Sequence, residues 1–169
     1  MGLLFLGLFL KFGLSGKFFH YAIFLFLMTV HAFIDYEHYL LLDNLNLVGG
    51  VFGVLSVLLL PGLNYINALF GAIFGGGLLV TAYLVGILLF KKKGMGLGDI
   101  KTGVFCGIFL GAAAVIYMLL LAAILGVIWG SFNLITGTGG KKLPFGTLMW
   151  IASALIVFFG DSLIEIVLT

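Results

Sequence analysis

The chain has no arginine, a single cysteine and two prolines, and only 8% of its 169 residues are charged. Each scarcity removes a class of protein. About a quarter of the residues of an ordinary soluble domain are charged, so a water-exposed surface cannot be assembled from this composition. One cysteine, Cys106, excludes an intramolecular disulfide framework and a four-cysteine zinc module, and its place inside an apolar run marks it as a small packing residue. The formal charge of +2 comes entirely from lysines set against six acids. A balance that small gives no footing for a nucleic-acid partner.

What the chain has instead is apolar length: 63% of the residues are apolar and the mean hydropathy is +1.34. Its apolar runs are far longer than strands and lack period-two alternation, so helices must satisfy the backbone inside lipid. The expected fold is an all-α, polytopic transmembrane helix bundle of six to seven spans, with residues 1–169 as one domain in a lipid bilayer. No basic residue precedes the first apolar run and no small-x-small site follows it, so residues 2–14 read as a first membrane segment rather than a removed signal peptide.

Further segments are expected at about 18–34, 45–60, 66–90 and 147–167. The run 102–136 is too long for one span at about 1.5 Å per residue, and it is expected to break near Gly111. Pro61-Gly62 stops the third segment. Gly71 and Gly75, and Ala72 and Gly76, repeat at the four-residue spacing that lets membrane helices touch backbone to backbone, which predicts a central place for that helix. Gly103, Gly107 and Gly111 likewise share one face.

Polar residues are so few that each needs a reason. Gly94-Met95-Gly96-Leu97-Gly98-Asp99-Ile100-Lys101 interrupts the apolar sequence and delivers an acid to the mouth of a hydrophobic run. An intramembrane or membrane-edge carboxylate is a functional-site candidate by default. Its candidate partner is Asp35, in Asp35-Tyr36-Glu37-His38-Tyr39 at the end of the second segment. Counting spans puts both acids on the face that carries Lys91 to Lys93, Lys101, Lys141 and Lys142, and the positive-inside rule makes that face cytoplasmic. Two carboxylates sharing a water cannot both ionise cheaply, the arrangement an aspartic protease uses to activate water.

Gly96-Leu97-Gly98-Asp99-Ile100-Lys101 resembles the GxGD motif of type IV prepilin peptidases, intramembrane aspartic proteases that process pilin-like leader peptides. Ile34-Asp35 followed by Leu41-Leu42-Asp43-Asn44-Leu45 is similar to the other half of their signature, with Leu42 where proline is usual. Leu143-Pro144-Phe145-Gly146 is similar to the Pro-Phe-Gly before the family's last helix. The resemblance implies a membrane-embedded endopeptidase with Asp35 and Asp99 as catalytic pair and with Gly96, Gly98, Lys101 and Asp43 shaping or supporting the site. It implies no cofactor and no metal. The implied substrate is a prepilin or pseudopilin-like precursor, cut after the glycine of a short basic leader at the cytoplasmic face of the inner membrane. Many bacterial members carry a region with two Cys-x-x-Cys pairs associated with N-methylation. This sequence has only Cys106, so the expectation is either that methylation is absent or that the region with those pairs lies outside these 169 residues.

Two rival readings use other chemistry. His31, Asp35 and His38 fall at i, i+4, i+7, a helical face that could ligate zinc in a metal-dependent membrane protease, or serve a small ion- or metal-coupled transporter. Outside such a site, His20 and His38 read as interfacial, solvated histidines, and His31 as a hydrogen-bond partner of Asp35. Asp161 and Glu165 read as water-facing acids on the far side.

Overall fold

The computed structural model describes residues 1–39, 41–90, 96–136 and 144–168, without the side chains of Phe90 and 161–168. Lys91 to Lys93, Gly94, Met95, Lys141 to Leu143, and the side chains of Asp161 and Glu165 therefore lie outside the described residues. The rest forms an all-α bundle in the order α1 (Gly2–Phe12), α2 (Gly16–His38), α3 (Asp43–Leu59), α4 (Tyr65–Phe90), α5 (Leu97–Leu110), α6 (Ala112–Ile135) and α7 (Phe145–Leu168). Helices α2, α4 and α6 are long and apolar enough to cross a membrane, and α1 and α3 are shorter apolar helices. The chain is a membrane protein built from helices.

The helix ends have local causes. Ser15 caps α2 by accepting from the Phe18 N–H, and Pro61-Gly62, with Gly62 at φ 82°, turns the chain between α3 and α4. The break at Gly111 is present: this residue adopts φ 80°, and the Asn67 side chain from α4 accepts from the N–H of Ala112 at 3.0 Å. That bond satisfies one of the orphan donors at the start of α6. Helix α5 is consequently short, about 21 Å at 1.5 Å per residue, against roughly 30 Å of hydrocarbon.

Lipid tails are as apolar as leucine, so close packing and internal hydrogen bonds hold such a bundle rather than apolar burial. The tightest seam is α4 against α5. A Cβ on Gly71 or on Gly107 would collide with the other's backbone carbonyl, and Gly75 and Gly103 oppose each other in the same way. Both glycine stripes thus serve close approach. Yet α4 is not central: Leu69, Phe70, Ile73, Phe74, Leu84 and Leu88 on its other faces are exposed. The small face docks and the large side chains face outward.

Centrality belongs to α2 and α5. Phe24 of α2 packs on Phe105 and Phe109 of α5, with ring centroids 5.5 and 5.0 Å apart. Glycine makes room on the third side: a Cβ on Gly49 of α3 would meet Phe105 Cε2 at 2.5 Å, and one on Gly53 would meet Phe109 Cε2 at 2.7 Å. His20 belongs to this core. It is 1% exposed, with Nδ1 2.7 Å from Ser56 Oγ and Nε2 2.9 Å from the Phe109 carbonyl. The expectation of a solvated His20 is corrected, because α3 and α5 supply partners that its own segment lacks.

Candidate active site

Asp99 is the third residue of α5, in the first turn, where the helix dipole and free N–H groups favour a carboxylate. Its Oδ2 accepts from the Gly96 N–H at 2.9 Å, while its own N–H reaches back to the Gly96 carbonyl at 3.3 Å. The local sequence alone therefore fixes this side chain. Gly98 is needed for space: a Cβ there would lie 3.0 Å from Leu41 Cβ and 3.4 Å from the Leu41 carbonyl oxygen. Gly96 is different. At φ −80° and ψ 154° it holds extended backbone that any residue adopts, and a Cβ would make only ordinary contact with Asp99 Oδ2.

Asp35 lies in the last turn of α2, the end of a helix that disfavours negative charge. A second helix compensates. The start of α7 points its free donors at this carboxylate: the Thr147 N–H lies 2.9 Å and Thr147 Oγ1 3.4 Å from Oδ2, and the Gly146 N–H also donates. Thr147 Oγ1 further donates to the Ala32 carbonyl at 3.1 Å, which ties α7 to α2. A Cβ on Gly146 would stand 3.0 Å from Asp35 Oδ2, 3.1 Å from Asp35 Cγ and 2.7 Å from Leu41 Cδ2.

The two acids share one end of the bundle. Both are more than nine-tenths buried, and each lies within electrostatic reach of the other. Leu41 lies beside Gly98 in the first turn of α5 and beside Gly146 in the first turn of α7. At the exposed rim, Lys101 Nζ of α5 pairs with Asp43 Oδ2 at the start of α3. All six sequence-derived residues thus fall in one neighbourhood: Asp35, Asp99, Gly96, Gly98, Asp43 and Lys101.

The histidine face does not assemble. His31 is 1% exposed, and its Nδ1 bonds to the Leu27 carbonyl at 3.1 Å rather than to Asp35. His38 is exposed as expected, with Glu37 as its neighbour at 3.8 Å. Among the described residues, no three of the His, Cys, Asp and Glu side chains come together as a metal-binding group.

Sequence reasoning missed Thr147 and the direct contact of Gly146 with Asp35. The Pro-Phe-Gly run before the last helix was the available signal, but nothing local ties it to Asp35. It also missed Asn46 and Thr102, both buried, whose side chains meet at 3.1 Å one turn beneath the acids. For Thr102 the signal was its place three residues after Asp99 on the same helix, whereas Asn46, on α3, had no such tie to either acid.

Comparison with known proteins gives a consistent picture. Residues 21–131 match the model of the Type IV leader peptidase family. The prepilin leader peptidase/N-methyltransferase of Aeromonas salmonicida (strain A449) is 34% identical over 134 residues, 78% of this chain and 46% of that protein. That of Dichelobacter nodosus is 33% identical over 141 residues, 82% of this chain and 48% of the relative. That of Bacillus subtilis (strain 168) is 28% identical over 159 residues, 92% of this chain and 62% of the relative. The chain spans about half the length of most of these curated relatives. No solved structure matches it.

Proposed function

The chain belongs to the type IV leader peptidase family, and from that premise we propose that residues 1–169 form a membrane-embedded aspartic endopeptidase domain acting on prepilin or pseudopilin-like precursors. The observation that carries the reading is the paired setting of Asp35 and Asp99. Each carboxylate is buried and anchored through Oδ2 by backbone N–H groups, and the two are within electrostatic reach. Rigid anchoring of this kind holds a catalytic group in place without a cost of reorganisation at the moment of reaction.

In the proposed reaction, the pair binds one water and shares one proton. The ionised carboxylate takes a proton from the water as its oxygen attacks the scissile carbonyl carbon, and the protonated partner hydrogen-bonds the carbonyl oxygen as it gains charge. Collapse of the tetrahedral intermediate breaks the C–N bond, and the proton taken from water passes to the leaving amine. The pair titrates as a unit, so two macroscopic values describe it.

The substrate is proposed to be a precursor whose short basic leader ends in glycine before a hydrophobic helix. Glu37, exposed two residues beyond Asp35, adds negative charge that suits a lysine-rich leader, while the charge of Asp43 is taken up by Lys101. Glycine before the scissile bond lets the peptide enter in extended form. The active site is placed at the cytoplasmic face of the inner membrane, following the lysine distribution. The proposal covers hydrolysis alone and assigns no N-methylation to these residues, whose one cysteine, Cys106, is a buried packing residue.

The test is direct. Detergent-solubilised protein is mixed with a pilin-like precursor and the products are weighed by mass spectrometry. Two fragments separated after the leader glycine support the reading. An intact precursor, with the protein shown to be folded, or a cut at another bond, overturns it.

A further inference from the structure

One helical turn beneath the two acids lies a buried polar layer to which the proposed reaction assigns nothing. It takes His31 from α2, Asn46 from α3 and Thr102 from α5, exposed by 1%, 6% and 0%. His31 is four residues before Asp35, and Thr102 three residues after Asp99. Each is therefore the residue below an acid on the same helical face. Asn46, from a third helix, lies between them.

Hydrogen-bond direction can be followed through the layer. A backbone carbonyl only accepts, so the 3.1 Å contact from His31 Nδ1 to the Leu27 carbonyl puts the imidazole proton on Nδ1 and leaves Nε2 as a lone pair. The Thr102 hydroxyl, 3.0 Å from the Gly98 carbonyl and 3.1 Å from Asn46 Oδ1, shares its proton between two acceptors. Asn46 then has its amide N–H₂ left to donate. The polar atoms of the layer without a direct partner are complementary, the donor Asn46 Nδ2 and the acceptor His31 Nε2, and the two side chains interact. Thr102 donates to Asn46 and His31 donates to Leu27, and the two atoms left over, Asn46 Nδ2 and His31 Nε2, are the donor and the acceptor that a link from α3 to α2 requires.

Resting on the peptidase reading above, we propose that His31, Asn46 and Thr102 are positioning residues that fix the separation of Asp35 and Asp99. The layer fits that task because it links the helices carrying the acids through a third helix, while the acids are anchored from outside by α7 and by the Gly96 loop. Phe105, stacked on His31 with centroids 5.8 Å apart, keeps the imidazole plane from turning. A half-satisfied buried network is unfavourable, so loss of one member releases the others. The acids then move relative to each other without any group leaving the reaction itself.

The experiment measures kcat and KM on a pilin-like precursor for Asn46→Leu, His31→Leu, His31→Gln and the double variant His31→Leu/Asn46→Leu, with thermal unfolding recorded for each. A misplacement of the acids lowers kcat by roughly ten- to a hundredfold while KM stays within about twofold. His31→Gln, whose amide oxygen can accept where Nε2 does, retains most of the activity. The double variant is no slower than either single variant, since one network is lost once. Unchanged kcat in the single variants, equal damage from His31→Gln and His31→Leu, or multiplying effects in the double variant overturn the proposal.

A second readout needs no turnover. In a Cys106→Ala background, Asp35→Cys/Asp99→Cys is treated with a short thiol-reactive bis-methanethiosulfonate cross-linker, each thiol forming a disulfide as methanesulfinate leaves, with and without Asn46→Leu. The expected outcome is cross-linking slowed roughly threefold or more by Asn46→Leu, since a displacement of about 1 Å is the scale at issue. An unchanged rate overturns the positioning role even if the chain is no peptidase. Failure of the wild type to cut the precursor counts against the function alone.

Discussion

The carboxylate of Asp35 and the backbone N–H of Thr147 stand 2.9 Å apart across 112 residues of sequence. This contact resolves an electrostatic conflict. An acid in the last turn of α2 faces the negative end of its own helix, and the first turn of α7 answers with the positive end of another. The same contact leaves no room beside it, because Gly146 lies directly against the carboxylate.

Gly146→Ala is therefore expected to lower peptidase activity by roughly ten- to a hundredfold, by shifting the Asp35 carboxylate. The added methyl lies against Leu41 Cδ2, a flexible end that can yield, and against Asp35 itself. Thr147→Val, which keeps the backbone donor and removes only the hydroxyl, is expected to cost about 0.5–1.5 kcal/mol of stability with a smaller loss of activity. Initial rates and unfolding midpoints of both variants check this. Equal activity loss in the two would show that the hydroxyl, not the space at Gly146, matters.

The α4–α5 seam gives a stability prediction. Gly71→Ala and Gly107→Ala each place a methyl against backbone, which cannot move aside as a side chain end can. Overpacking of this kind costs about 1–3 kcal/mol or more. Gly77, in the same helix as Gly71, has nothing within 4 Å of an added Cβ, and Gly77→Ala is expected to stabilise the helix by up to about 1 kcal/mol. Thermal unfolding in detergent separates the two cases, with the first pair melting lower than wild type and Gly77→Ala no lower.

Much of this was legible because the sequence is so apolar. In such a chain the acids Asp35 and Asp99 stand out, Pro61-Gly62 and Gly111 mark breaks, and the glycine stripe at Gly71, Gly75, Gly103 and Gly107 announces close docking. The illegible part was long-range. Which faces of α4 and α5 meet follows from the stripe, but that α4 is peripheral follows only from what covers its other sides. From sequence, His20 reads as a histidine in need of water, and His31 as a metal ligand or a partner of Asp35. Their partners are a serine and two backbone carbonyls, and a carbonyl leaves no mark in a sequence. Asp99, whose anchor lies three residues away, could be placed from local pattern; Asp35, whose anchor is on the last helix, could not.

Lys101 and Asp43 make a weaker prediction. Both side chains are more than half exposed, so their pair is screened, and Lys101→Ala is expected to cost no more than about 1 kcal/mol. The exchange Asp43→Lys/Lys101→Asp restores the pair with its ends reversed. It is expected to recover stability lost in either single reversal, measured by unfolding at low salt, and the difference shrinks as salt is raised. No recovery would mean that the two residues act separately.

The central claim is that Asp35 and Asp99 act together on one water. The measurement that tests it most directly is cleavage of a pilin-like precursor by wild type, Asp35→Asn and Asp99→Asn, in detergent with a chelator added. The expected result is cutting after the leader glycine by wild type with chelator present, and loss of at least about a hundredfold in each variant at an unchanged unfolding midpoint. Near-normal cutting by either variant, or loss of wild-type activity to the chelator, contradicts the paired-carboxylate mechanism.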